Sequence, residues 1–322
     1  MTVVVTGAFG FIGSTLVRRL LDEGESVVMV DSPENTSRLA GGFNLPLRKV
    51  LNIRFVDRSS FMAWLETNHW DVRHVFHLGA KTSTLETDTD LLHQWNVDYS
   101  KHVWWSCSRL GIPLSYASSA AVYGLGEHGF KDDVDVHLLR PLNPYGMSKL
   151  IHDRYVLETE EFTAPPRWAG FRFFNVYGAR EDHKGNMASP FYRWIKATLQ
   201  DPEHRMVVYR HPERPIDTWR DFVYVQDVVD VLVHHMRSSM PNGIYNVGTG
   251  CPSSFTELAW AVRDAFGGGR LVKYEPMPEA IVRHYQYQTQ ADLTNLRKAG
   301  YGMTFRGIKE GASNLLAEMR RQ

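Results

Sequence analysis

The sequence predicts an α/β fold with a doubly wound, mostly parallel sheet. Three observations carry this: short apolar runs alternate with longer amphipathic segments, a glycine-spaced turn joins the first run to the first helix, and small or polar residues follow the ends of the runs. Thr2 to Thr6 reads as a buried strand. Gly7-Ala8-Phe9-Gly10-Phe11-Ile12-Gly13 follows it, and Leu16, Val17 and Leu20 then recur at helical spacing. Gly7 permits the tight bend, Gly10 lets backbone approach a pyrophosphate, and Gly13 lets the helix pack close to the sheet, so the arrangement is Rossmann-like. The leading N-H groups of that helix, at Phe11, Ile12 and Gly13, would face the phosphates.

The remaining elements follow in order. Ser26 to Val30 is a second strand ending at Asp31, and Ile53 to Val56 a third. A short helix spans Phe61 to Thr67, and Val72 to Leu78 is a fourth strand. Leu91 to Leu110 reads as one long helix, and Ile112 to Ser118 as a fifth strand. Such an order implies right-handed crossovers, with ligands at the carboxyl ends of the strands. Regularity drops after Asn175, where Glu181 to Asn186 and Pro212 to Pro215 read as loops. A smaller, interleaved substrate-binding α/β lobe is therefore expected. The expected division is 1–178 for the principal dinucleotide-binding domain, 179–215 for a substrate-binding insertion, 216–248 for a return to the first domain, and 249–322 mainly for the second lobe with some returning segments.

Composition limits the function classes. A chain of 322 residues holds one large α/β unit and a smaller lobe. Lys+Arg and Asp+Glu number 36 each, which argues against nucleic acid or an acidic membrane surface as the main partner. The amino terminus enters directly into a strand and no run approaches bilayer-spanning length, so a cytoplasmic setting without a membrane partner is expected. Cys107 and Cys251 are isolated, and His69, His74, His77 and the His234-His235 pair lack partners at ligand spacing. No metal site is expected, and these histidines read as structural or surface groups.

The chemistry gathers around Asn143-Pro144-Tyr145-Gly146-Met147-Ser148-Lys149. A helix starting near Pro144 puts Tyr145 and Lys149 on one face, where the ammonium is expected to lower the phenol from its ordinary value of about 10 and make it a usable base. Standing alone, the pair is more simply a buried tyrosine and a solvated lysine. Downstream of the glycine turn and of Ser118-Ser119 at a strand end, it points to a nicotinamide enzyme that removes a proton and a hydride from an alcohol. Asp31 would accept bonds from the adenosine ribose, which favours NAD. Arg38, across a short loop beginning at Ser32, would instead pair with a 2'-phosphate. Gly79-Ala80 lacks bulky side chains and can pass beside the nicotinamide. Lys81 and Ser83 could address substrate hydroxyls or phosphate, although taken by themselves ordinary loop polarity is the simpler account.

Thr6 to Ser14, Tyr116-Ala117-Ser118-Ser119-Ala120-Ala121-Val122-Tyr123-Gly124 and Asn143 to Lys149 resemble the extended short-chain dehydrogenase/reductase superfamily of nucleotide-sugar epimerases and dehydratases. Within it, Phe171 to Ser189 and Gln288 to Leu296 are similar to the ADP-L-glycero-D-manno-heptose 6-epimerases, while Arg220-Asp221-Phe222-Val223-Tyr224-Val225 is shared more widely. The resemblance implies NADP-dependent epimerisation at C6 of ADP-D-glycero-β-D-manno-heptose to its L-glycero epimer through a transient 6-keto intermediate. It implies Ser119, Tyr145 and Lys149 as catalytic residues, with Lys184 as a second acid/base group on the opposite face of the carbon. Substrate contacts are implied from Lys81, Ser83, Ser119, Asn175, Lys184, Ser189, Arg220 and Tyr285. Cofactor contacts are expected from Gly7, Gly10, Phe11, Ile12, Gly13, Asp31, Ser32, Arg38, Gly79, Ala80, Tyr145 and Lys149.

The chain departs from the family in places. Ser32 replaces the usual Asn after the ribose-binding Asp, so NADP is the expected cofactor with NAD as the alternative. Arg210 to Pro215 and the bulky Trp219 fall where the nucleotide-sugar pocket is expected. A homo-oligomer is implied, and His93, Trp95, Tyr99 and Trp104-Trp105 supply aromatics suited to an interface or to a core. Rival readings are another nucleotide-sugar epimerase, a dehydratase, or a noncatalytic NADP-binding regulator. Ala120-Ala121 after Ser119 lacks the extra acid/base pair of a dehydratase, and Tyr145 with Lys149 argues against a regulator.

Overall fold

The computed structural model describes residues 1–39, 52–210, 218–269, 271–278 and 286–321. Tyr285 and residues 211–217 lie outside the described residues. In chain order the strands are β1 (Thr2–Thr6), β2 (Ser26–Asp31), β3 (Ile53–Asp57), β4 (Val72–His77), β5 (Leu114–Ser119), β6 (Trp168–Phe173), β7 (Asn175–Tyr177), β8 (Met206–Arg210), β9 (Trp219–Arg220), β10 (Phe222–Tyr224), β11 (Gly243–Val247), β12 (Ser253–Ser254) and β13 (Val272–Pro276). The main sheet has the order β3-β2-β1-β4-β5-β6-β11, and every neighbouring pair in it is parallel. The chain winds outward from β1 to β3 and then crosses back to β4. The direction therefore reverses between β1 and β4, and a crevice opens there at the carboxyl ends.

Both faces of the sheet are covered, which is why β1 and β2 are runs of valine rather than alternating sequences. On one face α1 (Phe11–Asp22) places Leu16, Val17 and Leu20 against Val228, Val231 and Leu232 of the helix Val225–Arg237. On the other, Phe61, Leu65, Val103 and Trp104 pack with Trp168. Trp104 is fully buried and donates its indole N-H to the Thr163 carbonyl at 2.8 Å, so it belongs to the core, whereas Trp105 is 49% exposed.

The smaller lobe is built from pieces far apart in sequence. β7 pairs with β10 and β8 with β13, both parallel, and β9 with β12 antiparallel. Around them Tyr177, Phe191, Ile195, Phe222, Leu258, Val262 and Leu315 form one apolar cluster with the helices Pro190–Gln200, Phe255–Ala265 and Ile308–Met319. Phe11, from the first turn of α1, belongs to this cluster and so joins the two parts. Leu296, Tyr301 and Phe305 return to the core of the main sheet.

The expected long helix from Leu91 to Leu110 is interrupted. Thr89–Leu92 and Tyr99–Arg109 are α-helical, but His93–Asp98 widens into a π-helix. The widened turn contains Asn96, fully buried, which accepts from the Lys81 N-H at 2.8 Å, donates to the Lys81 carbonyl at 2.9 Å and donates to Ser148 Oγ at 2.9 Å. Such bulges often accompany sites where a helix must aim a side chain.

Candidate active site

The dinucleotide cradle is built from backbone. Gly7 has φ of +66°, and a Cβ on it would lie 2.7 Å from the Gly79 Cα, so β1 and β4 approach here without side chains. A Cβ on Gly13 would lie 2.1 Å from the Gly7 carbonyl oxygen, which leaves glycine as the residue that lets α1 start so close to the turn. No side chain caps α1 and no acidic residue stands in its first turn, so its leading N-H groups remain for an anion. These features fit the pyrophosphate of a dinucleotide. Thr6 Oγ1 accepts from the Gly79 N-H at 3.1 Å and is 2.8 Å from His77 Nδ1, which fixes the loop entering Ala80 and Lys81.

Asp31 is buried at the end of β2. Its Oδ2 accepts from the Phe9 N-H at 2.8 Å, and its Oδ1 from the Ser32 N-H at 2.8 Å and from Asn35 Nδ2 at 2.7 Å. The carboxylate thus ties the glycine turn to β2 and stands where ribose hydroxyls are expected. Arg38, exposed on the 3-10 segment Pro33–Leu39, lies near His183, whose pKa is pushed to about 4 by burial and then by Arg38 and Lys184.

The tyrosine helix, Pro144–Thr159, begins with Asn143 as its cap: Asn143 Oδ1 accepts from the Gly146 N-H at 2.8 Å, and Pro144 occupies the first turn. This start directs Tyr145 and Lys149 at the end of β5. The Tyr145 phenol is hydrogen-bonded to the Ser119 side chain, while Ser119 Oγ also accepts from the Ala121 N-H at 3.2 Å. Lys149 Nζ donates to the Ala117 carbonyl at 2.9 Å.

The electrostatics correct one expectation. Burial raises the Tyr145 pKa, and the Ser119 hydrogen bond opposes this in part. Lys149 is not among the groups that shift the phenol, and its ammonium is bonded to the Ala117 carbonyl. Burial pulls Lys149 itself down to about 8, with the nearby Asp153 carboxylate opposing.

Lys184 is not joined to this group. It lies in the 3-10 segment Asp182–Met187, with Nζ 2.9 Å from Glu181 Oε2 and 4.5 Å from the centre of the Phe11 ring. Glu181 is fully buried and also accepts from the Gly178 N-H at 3.1 Å, the Ser189 N-H at 2.8 Å and the Ser189 hydroxyl at 2.6 Å. Arg180, just before it, has φ of +70°, uncommon for a side-chain-bearing residue. Ser189 serves as the cap of the helix Pro190–Gln200, receiving the Tyr192 N-H.

The other expected substrate contacts lie on separate elements. Asn175 is exposed at the start of β7, and the side chain of Lys81 is exposed. Ser83 accepts from the Leu85 N-H, and Arg220 is buried and donates to the Trp219 carbonyl. Trp219 is about half exposed beside them. Asn96, Asp153 and Glu181 were not singled out in the sequence. Asp153 has a local signal, since it follows Lys149 by one further helical repeat, but nothing near Asn96 or Glu181 announces their burial. Among the described residues no group of three or more His, Cys, Asp or Glu side chains is arranged to hold a metal, and no helix is long and apolar enough to cross a membrane.

A parallel sheet with a glycine cradle at its switch point and a Ser-Tyr-Lys group at the next strand end defines a nucleotide-linked oxidoreductase-type site, and the chain belongs to the NAD dependent epimerase/dehydratase family, whose model matches residues 3–248. The narrower likeness is to ADP-L-glycero-D-manno-heptose-6-epimerase of Fusobacterium nucleatum, 35% identical over 325 residues, with 97% of this chain and 96% of that protein covered. Among solved structures, UDP-N-acetylglucosamine 4-epimerase from Methanobrevibacter ruminantium in complex with UDP-N-acetylmuramic acid superposes with a TM-score of 0.82 at 25% identity, covering 100% of this chain and 98% of the other. UDP-glucose 4-epimerase of Thermus thermophilus in complex with NAD does so with a TM-score of 0.77 at 26% identity, covering 99% of each.

Proposed function

We propose that the protein epimerises ADP-D-glycero-β-D-manno-heptose at C6 to the L-glycero form. The observation that carries the reading is the Ser119-Tyr145-Lys149 group at the sheet's crevice, in a chain alike over nearly its whole length to an ADP-heptose epimerase. Gly7, Gly10, Gly13, Asp31 and the first turn of α1 would hold the dinucleotide, whose nicotinamide, when bound, supplies a place for the hydride to go and to return from. Tyr145 takes the proton of the C6 hydroxyl while Ser119 bonds the same oxygen, which yields a 6-keto sugar. Lys149 supports Tyr145 and is placed to bond the nicotinamide ribose. The ketone turns within the site, and Lys184, starting from its ion pair with Glu181, protonates the oxygen on the face Tyr145 no longer reaches.

NADP is the cofactor this reading favours, on the strength of Arg38 near the Asp31 end of the cradle, with NAD as the alternative. Residues 1–178 and 216–248 act as the dinucleotide-binding part and 179–215 with most of 249–322 as the substrate part, in a cytoplasmic homo-oligomer whose assembly sedimentation would report. The test of the chemistry follows Y145F, K184A and the double variant with each C6-deuterated heptose epimer, while confirming that cofactor stays bound. K184A that epimerises in both directions as fast as the unsubstituted chain would remove Lys184 from the mechanism.

A further inference from the structure

The tyrosine helix presents a third residue on the same face. Positions 145, 149 and 153 recur at one helical repeat, and each meets β5. Tyr145 bonds the Ser119 side chain, Lys149 donates to the Ala117 carbonyl, and Asp153 accepts from the Ser118 hydroxyl at 2.9 Å and the Tyr116 phenol at 3.2 Å. Helix and strand are thus fastened at consecutive strand residues from Tyr116 to Ser119.

Asp153 and Arg172 of β6 are both 0% exposed, and Arg172 Nε donates to Asp153 Oδ2 at 2.9 Å. Arg172 Nη1 donates to the Tyr123 hydroxyl at 3.1 Å, and that hydroxyl donates to Asn246 Oδ1 at 2.6 Å. A buried ion pair is weak support for stability, because apolar replacement of both partners is often neutral or favourable. Its position, one turn from a buried catalytic lysine, gives it a different use.

We propose that Asp153 is a positioning residue of the epimerase site, which keeps β5 in the register that sets Ser119 against Tyr145 and places a carboxylate one helical turn from the Lys149 ammonium. The proposal rests on the epimerase reading for its catalytic consequence. Lys149 shares its helix with Tyr145, Asp153 and the nearby His152 and stands near His77 of β4, while Tyr116 of β5 and Arg172 of β6 lie against Asp153 and Lys101 of the helix Tyr99–Arg109 is near His152. Burial holds His77 at about 3 and His152 well below 6.5, so both are neutral. Tyr116 is raised by burial and stays protonated. Among these groups Asp153 is the one carboxylate, and it opposes the desolvation that draws Lys149 toward neutrality.

The experiment titrates Lys149 by NMR of ε-13C-labelled lysine, its resonance assigned with K149R, in the unsubstituted chain and in D153N, D153E and D153N/R172M. The double variant removes the pair together, so that no buried charge is left unpaired if D153N fails to fold. We expect the Lys149 pKa to fall by about one unit or more in D153N and in the double variant, and to be retained in D153E. In turnover, D153N should lose kcat with little change in KM, and its alkaline limb should move down by the same amount as the lysine titration. A Lys149 pKa unchanged in the folded double variant overturns the proposal, as does a fall in D153E equal to that in D153N. The titration judges Asp153 without turnover, whereas an unsubstituted chain that epimerises no heptose substrate would count against the epimerase reading alone.

Discussion

Tyr145 stands on a sixteen-residue helix whose polar face is bonded to the central sheet, whereas Lys184 stands on a six-residue 3-10 segment whose geometry depends on one buried carboxylate. The helix side is over-determined: Asn143 caps it, Asn96 clamps Ser148 to the loop after β4, and Ser119, Ala117 and Ser118 each receive a side chain from it. The loop side has Glu181 at its centre, with the strained Arg180 before it and Gly185, at φ of +51°, within it. In the proposed mechanism, abstraction of the alcohol proton falls on the stiff half. The group proposed to act on the other face of the carbon falls on a segment that a few substitutions can re-aim.

The sharpest break between the halves is Y145F. It should lower epimerisation in both directions by about a thousandfold or more, within the range a positioned acid/base group contributes, while calorimetric titration still shows dinucleotide binding. K184A should leave oxidation of the D-glycero epimer intact and reduce transfer to the opposite face, seen as transient reduction of bound cofactor with the C6 deuterium returning to the D-glycero epimer.

A smaller effect tests the loop alone. E181Q keeps the shape of the side chain but places an amide where the carboxylate receives Lys184, Gly178 N-H and Ser189, so Lys184 should lose its position. Displacement of such a group by about 1 Å costs roughly a hundredfold in rate. The loss should appear in kcat for both epimers with the thermal midpoint little changed, and a fully active E181Q would show that Lys184 does not depend on Glu181.

Acid should loosen the sheet half first. His74, His77, His152 and His235 are buried there as neutral rings, with His77 and His235 held at about 3 and the other two well below 6.5 by desolvation. Unfolded, each takes up a proton near its ordinary value, so below about pH 6.5 the unfolded chain binds more protons than the folded one. Stability present above that pH is lost as the pH falls toward the folded values, at up to about 1.4 kcal/mol per pH unit for each ring. Urea midpoints measured from pH 7.5 to 4.5 should fall accordingly, and H235Q should flatten the slope. A midpoint independent of pH would contradict the buried neutral assignment.

The mildest change concerns the exposed Arg38. R38A should weaken NADP binding about tenfold, the scale of one exposed charge-assisted bond, and leave NAD binding unaltered. Equal effects on the two would separate Arg38 from the 2'-phosphate and shift the assignment toward NAD.

The glycine turn, the strand-helix alternation and the Tyr145-Lys149 pair were legible because each is a short-range signal, set by positive φ, by steric approach or by the helical repeat. The valine run of β1 likewise read as a buried strand. The widened turn at His93–Asp98 was not legible, since the Asn96 within it finds its partners, Lys81 and Ser148, across the fold. The direction of the Tyr145 shift was also decided by tertiary structure: the sequence put an ammonium one turn from the phenol, but burial desolvates both and a β5 carbonyl holds Lys149. Lys184 was named through the resemblance of its loop to the heptose epimerases, yet its partner Glu181 gains its weight from being buried and bonded to Gly178 and Ser189. Neighbours along the chain fix backbone conformation and the face on which a residue emerges. The dielectric around that residue and the partner it finds are set by groups brought from other elements, and these exist only once the sheet and the second lobe have closed over it.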